Sequence, residues 1–164
     1  MTRRGLLLAA TASLLAGRVR AAPLAESRMK LVPFAHSPFP YDGIVPRKDV
    51  PFLDAGEGRR KGHVARDGAT YWQDITYSDR RSLVFFPPGF DVDEPLTVIV
   101  FFHGNGATLE RDVVARQRVP QQVAASGLNA VLLAPQFAVD APDSSSGNFW
   151  TPGFFAQYLE EAAG

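Results

Sequence analysis

Residues Leu96 to Phe102, Leu-Thr-Val-Ile-Val-Phe-Phe, are the most constraining stretch of this chain. Six of the seven are apolar, with no alternation that would leave one face to water. Such a run predicts a strand buried on both faces, as in a parallel sheet covered by helices. It leads straight into His103-Gly104-Asn105-Gly106. Two glycines two apart at the carboxyl end of a parallel strand let the backbone turn sharply and expose its amides. Amides at that edge are suited to hold a developing oxyanion, and ligands of open α/β sheets gather there. The same residues are compatible with a second geometry, because Asn105-Gly106 is a good two-residue hairpin turn. A hairpin needs a returning strand, and Ala107 to Asp112 does not match one.

The segments around this stretch predict α/β order. Thr70 to Tyr77 and Ser82 to Phe86 read as strands, the second stopped by Pro87-Pro88-Gly89. After the His-Gly-Asn-Gly loop, Pro120 to Ala125 can begin a helix, since proline is tolerated in the first turn, and Ser126-Gly127 ends it. Asn129 to Ala134 is a second buried-looking strand, closed by Pro135. A polar loop follows through Gly147. Thr151-Pro152 then reads as a helix start, with Phe154/Tyr158 and Phe155/Leu159 stacked at i, i+4 on one apolar face. Buried strand, helix, buried strand is a βαβ unit.

These residues resemble the oxyanion-hole segment of the α/β-hydrolase superfamily, which groups lipases, esterases and peptidases. The likeness runs over residues 70–164. A Pro-Pro-Gly-Phe turn precedes the strand, a helix ends in Ser-Gly-Leu-Asn-Ala, and the next strand ends in Ala-Pro-Gln, all in family order. The resemblance implies a partial α/β-hydrolase fold: N-terminal strands plus one βαβ unit of a mostly parallel sheet. It also implies that residues 103–106 form the oxyanion-hole loop. The amide of Asn105 or a near neighbour would be one of two donors, and His103 would orient the loop rather than act as a base. Phe149 and Trp150 would supply walls of the pocket. The substrate would be a small-molecule ester or amide, hydrolysed by a full-length form with no cofactor.

The family's nucleophile lies in Gly-x-Ser-x-Gly after the next strand, followed by its acid and its histidine. No such pentapeptide occurs here. Ser145 in Asp143-Ser144-Ser145-Ser146-Gly147 is superficially similar, but the first residue is Asp143 and the setting is a polar loop. The expectation is therefore a truncated chain, inactive by itself, whose strand at 96–102 lacks its neighbour. An apolar strand left as an open edge invites aggregation.

Three further readings complete the organisation. Residues 1–21 have the layout of an export signal: Arg3-Arg4, an apolar run from Leu6 to Gly17, and Val19-Arg20-Ala21 before a cleavage site. The start resembles a twin-arginine signal, although an ordinary secretory signal has the same outline. Either route makes the mature protein periplasmic or secreted, without a stable membrane span after cleavage. Residues 22–62 read as a Pro/Gly-rich lead-in, broken by Pro23, Pro33, Pro38, Pro40, Pro46 and Pro51. It is either a loose linker or a segment pinned to the body by Phe34, Phe39, Tyr41 and Phe52. Residues 63–164 would be the hydrolase half-domain.

Composition removes several function classes. Without cysteine there is no disulfide scaffold, thiolate metal site or cysteine nucleophile. The three histidines, His36, His63 and His103, have no metal-ligand spacing, and His36 and His63 read as loop residues. Residues 1–21 hold four of the 17 basic residues and none of the 17 acidic ones, so removal of the signal would leave a net charge of −4. That gives no electrostatic reason to expect a nucleic-acid partner. One rival to the hydrolase reading is a non-catalytic exported binding or accessory domain, holding a ligand such as a saccharide on the aromatic pairs Tyr71-Trp72 and Phe149-Trp150. The other is a gene remnant with no function of its own.

Overall fold

Alternation along one strand organises the core. In β9 (Ala130–Pro135), Ala130, Leu132 and Ala134 face one side of the sheet, while Val131 and Leu133 face the other. Successive strand side chains point to opposite faces, so a strand apolar at every position needs cover on both. A helical layer meets each face. The first comprises Leu109–Arg116 and α2 (Val119–Ala125), which bury Leu109, Val113, Val119 and Val123. The second is α3 (Phe154–Ala163), which brings Tyr158, Phe155 and Leu159 against Leu133, Val84 and Val100.

These relations come from a computed structural model that describes residues 22–164. The export signal read at residues 1–21 lies outside the described residues. The main sheet has four strands in the order β1 (Arg28–Pro33), β7 (Arg81–Phe86), β9 and β8 (Thr97–Val100). Five short strands lie apart from it. They are β2 (Ile44–Val45) paired with β3 (Val50–Pro51), and β4 (Ala55–Glu57), β5 (Arg60–Val64) and β6 (Thr70–Trp72) in a small antiparallel sheet. The one-turn helix α1 (Gln73–Thr76) follows β6 directly.

The architecture is mixed α/β with a mixed sheet, not a mostly parallel one. β1 with β7, and β7 with β9, are antiparallel; only β8 and β9 run parallel, with Thr97 opposite Ala130 and Val100 opposite Leu133. Parallel strands need a crossover of about a dozen residues or more, and the helical segments between Val100 and Ala130 supply the crossover for this pair. Residues 22–62 also carry more structure than their prolines predict. β1 pairs along its whole length with β7, and its only proline, Pro33, is its last residue. Prolines are tolerated at strand ends and on edges. Phe39 and Phe52 are fully buried against Tyr77, Ala138 and Ala141, so this segment is pinned to the body.

Two local differences have plain causes. Helix α3 begins after Gly153 rather than at Pro152, because Gly153 takes a left-handed conformation (φ 83°) at the N-cap. The strand predicted over 70–77 stops at Trp72 and turns into α1. Strand β8 is the exposed edge of the sheet. Val98 is 49% exposed and Phe102 53%, although Ile99 and Val100 pack into the two cores. Among the described residues no helix is long and apolar enough to cross a membrane.

The edge generates a solubility prediction. Unpaired apolar edge strands associate, and a lysine on the edge blocks this. Val98→Lys is expected to shift the chain toward monomer in sedimentation velocity without changing its far-ultraviolet circular dichroism. A native chain that already sediments as one sharp monomer would show that the edge is protected.

Candidate functional site

The backbone after Phe102 does not fold back as a hairpin. β8 pairs with β9 alone, and residues 109–116 form a helix of π type. The connecting loop is clamped at both ends and open in the middle. His103 and Ala107 are buried, whereas Gly104, Asn105 and Gly106 are exposed.

His103 forms the first clamp. Its Nε2 accepts the backbone N–H of Phe137 at 2.9 Å, and the Gln136 side-chain amide lies at the same distance. Its Nδ1 is 3.0 Å from the Gly104 carbonyl, to which it donates. An imidazole that accepts at Nε2 and donates at Nδ1 is the neutral tautomer. Burial holds its pKa below the usual value, against the raising influence of the Gly104 carbonyl and the Asp112 charge. With both nitrogens engaged, His103 has no free position for taking a substrate proton.

Gln136 connects the clamps. It is fully buried just past the end of β9. Its Oε1 accepts the Leu109 amide at 3.0 Å, and its Nε2 reaches the carbonyls of Ala107 and Phe137, each at 3.2 Å, as well as His103. Thr108 and Asp112 complete the second clamp. The Thr108 hydroxyl accepts the Arg111 amide, and Asp112 reaches back to the Thr108 amide at 2.8 Å, a reciprocal capping arrangement. That amide, with Arg111 and Arg116, holds the Asp112 carboxyl far below the ordinary carboxylate range.

Between the clamps, only Gly106 needs to be glycine for backbone reasons. Its φ is +67°, and its amide donates to Ala141 O at 2.8 Å. Gly104 has an ordinary conformation, and a Cβ there would meet nothing within 4 Å. The missing side chain leaves the adjoining backbone uncovered. No hydrogen bond occupies the amides of Gly104 or Asn105 among the described residues. The Asn105 side chain is tied down separately, accepting from Ser144 Oγ at 2.8 Å.

The loop faces a small cleft of about 160 Å³ lined by residues 102–105, Phe137 and residues 143–146. Asn105, Asp143, Ser144 and Ser145 also line a second cleft of about 440 Å³, whose wall includes Trp150. Phe149 lines neither cleft. It lies in an aromatic cluster with Phe102, Phe137, Phe155 and Tyr158. The aromatic pair Tyr71-Trp72 is split, with Tyr71 packed on the Phe39–Tyr77 core and Trp72 lying under Arg60, 4.6 Å from its ring centroid. His63 sits in β5 rather than in a loop, its Nδ1 2.8 Å from Phe52 O. No group of three histidine or acidic side chains able to hold a metal comes together among the described residues. The sequence marks Gln136 only as the end of Ala-Pro-Gln and assigns it no role. Its one signal was a polar side chain placed immediately after a buried strand.

Two stability predictions follow from the clamps. Gln136→Leu keeps the volume but strands the Leu109 N–H and the Ala107 carbonyl, and should cost about 1–3 kcal/mol in urea unfolding. A loss below half of that lower bound would mean the amide does not hold the loop. Because the folded-state pKa of His103 is lowered, the unfolded chain binds this proton more readily. The stabilisation is complete above the unfolded pKa of about 6.5 and is lost as pH falls below it. Stability should therefore drop between pH 7.5 and 5.5 more steeply in the native chain than in His103→Asn. Identical slopes would contradict the assignment.

The chain matches no family model, no curated protein and no solved structure.

Proposed function

We propose that residues 103–106 are the oxyanion-hole loop of an exported α/β-hydrolase that cleaves esters or amides in its full-length form, and that the 164-residue chain alone is inactive. The observation that carries this reading is the pair of uncommitted amides on Gly104 and Asn105. They lie at the carboxyl end of a parallel strand, on a loop fixed by buried groups. Donors held rigidly before the reaction starts are what a developing oxyanion requires. Three further features support it. A helical crossover separates β8 from its parallel partner β9. The cleft beside the loop has apolar walls in Phe102 and Phe137 for a hydrocarbon group. The free side of β8 is where the family would place its nucleophile strand.

On this reading the division of labour is simple. The Asn105 or Gly104 amide donates to the carbonyl oxygen as negative charge builds on it. His103 keeps the loop in register and moves no proton. The nucleophile, acid and catalytic histidine belong to family segments that follow the helix ending at Ala163. A non-catalytic binding domain is favoured by one observation, the exposure of Trp150 to the larger cleft among polar groups.

A fluorophosphonate probe should leave the 164-residue chain unlabelled, and clean labelling of one serine would overturn its inactivity. The DNA after codon 164 supplies the decisive material. A frame encoding a strand and Gly-x-Ser-x-Gly should yield an esterase when expressed with this chain. In that protein, Asn105→Pro removes one amide donor and should lower kcat by about 10²–10³-fold with little change in KM. An unchanged kcat would exclude the loop from the reaction, and a frame without the motif would favour the binding domain.

A further inference from the structure

The 440 Å³ cleft is of a size that suits a small organic ligand. It opens where the β2–β3 hairpin, the end of β5 and the loop at 142–150 meet. Val45, Val50, Pro51 and Trp150 give it an apolar wall. Its fixed charges are two carboxylates, Asp54 and Asp143, and two cations, Lys48 and Arg66.

Each carboxylate already accepts a backbone amide, whereas the two cations have no partner among the described residues. Asp54 Oδ1 accepts the Val64 amide at 2.9 Å and lies 3.2 Å from His63 Nδ1. Asp143 Oδ1 accepts the Ser145 amide at 2.9 Å, and its second oxygen is buried, without a hydrogen-bond partner among the described residues and shielded from a ligand in the cleft. The side chains of Lys48 and Arg66 have no ion pair or hydrogen bond among the described residues. Both sit on turns that are themselves held in place. Lys48 lies between Arg47 and Asp49, which have φ of 66° and 53°, and its amide bonds to Val45 O at 3.2 Å. Arg66 lies in a turn closed by Gly68 N to Ala65 O at 2.9 Å and braced by Asp67, which accepts from the Ala69 amide and the Tyr71 hydroxyl.

We propose that this cleft binds a small organic monocarboxylate, its charge held by Lys48 and Arg66 and its apolar stem laid against Trp150, Val45 and Val50. A guanidinium matches the two carboxylate oxygens, a lysine adds a point charge, and a concave wall strengthens both. The negative charges of Asp54 and Asp143 in the same cleft disfavour a second negative charge on the ligand, which restricts the class to monoanions. Asn105, Asp143, Ser144 and Ser145 line both this cleft and the smaller one over the candidate oxyanion loop. That the carboxylate is a substituent of the hydrolase substrate rests on the proposed function; that the cleft binds an anion does not.

The test is an amide-resolved NMR titration of the chain with 3-phenylpropionate, its neutral amide, and the dianion phenylsuccinate. The expected result is saturable binding of the monoanion, with shifts confined to residues 45–51, 63–66 and 142–150. The neutral amide should bind at least about tenfold more weakly, as expected for loss of a charge-assisted bond, and the dianion at least about tenfold more weakly through repulsion by Asp54 and Asp143. The double variant Lys48→Ala/Arg66→Ala should weaken the monoanion to the same degree and leave the rest of the spectrum in place. Equal binding of acid and amide, full affinity in the double variant, or no saturable shifts would each overturn the proposal. The comparison of acid with amide uses the native chain and needs no variant to fold. Carboxylate binding by an extended protein that hydrolyses no ester would sink the hydrolase reading alone. An extended esterase without carboxylate binding would sink this proposal alone.

Discussion

One buried side-chain amide joins the end of β9 to the loop that follows β8. Gln136 follows β9, and its backbone amide continues the sheet by donating to Arg81 O at 2.9 Å. Its side chain turns to the other end of the crossover, where it meets His103, Ala107 and Leu109. A carboxamide has two hydrogens to give, and three acceptors lie within reach of them: His103 Nε2, Ala107 O and Phe137 O. In a water-free setting such a network is strong when complete and costly when a member is removed. The site loop therefore has a defined conformation even though its central residues face solvent.

The surrounding apolar packing gives that network its setting. Leu132 and Ala134 form the floor under Leu109 and Val113, while Leu133 faces Tyr158 on the opposite side of the same strand. Because β9 is covered on both faces, its carboxyl end is a fixed reference, and Gln136 and Phe137 inherit that rigidity. Phe137 contributes twice: its amide donates to His103, and its ring meets the His103 ring edge-on with centroids 5.6 Å apart. A neutral imidazole suits this place, since a charged one would lose its acceptor nitrogen and the bond to Phe137.

The legible parts of the sequence were those set by local periodicity. The strands β7, β8 and β9, the stop of α2 at Ser126-Gly127 and the turn after Phe102 all came from runs and breakers within a few residues. What failed has identifiable causes. The segment Leu109–Arg116 has π-type bonds such as Gln117 N to Asp112 O, and that register erases the 3.6-residue period by which helices are recognised. β1 was hidden because prolines crowd its surroundings, yet only its last residue is one. The run at 96–102 predicted burial on both faces, whereas an edge position is decided by which strands pair, which no local pattern encodes. The loop glycines were legible as a pair, but only Gly106 takes the left-handed conformation. The larger cleft draws its lining from segments about a hundred residues apart, so Lys48, Arg66 and Asp143 carried no joint signal.

The open edge and the uncommitted amides belong to the same strand. β8 is paired on one side only, and the loop that ends it offers donors without acceptors. Phe102 joins the two features. Its ring packs on Phe137 and Phe155 at centroid distances of 5.3 and 5.9 Å, yet more than half of its surface remains exposed beside the smaller cleft. Apolar area of this kind next to ready hydrogen-bond donors is stabilised by any partner that brings both a hydrophobic face and an acceptor. A strand laid along β8 supplies the first, and a carbonyl held over Asn105 supplies the second. The hydrolase reading assigns both to one assembly, because the family's nucleophile strand would run beside β8 and present its serine at the end where the loop lies. On that reading, one strand beside β8 would cover the open edge and bring the reacting group to the loop.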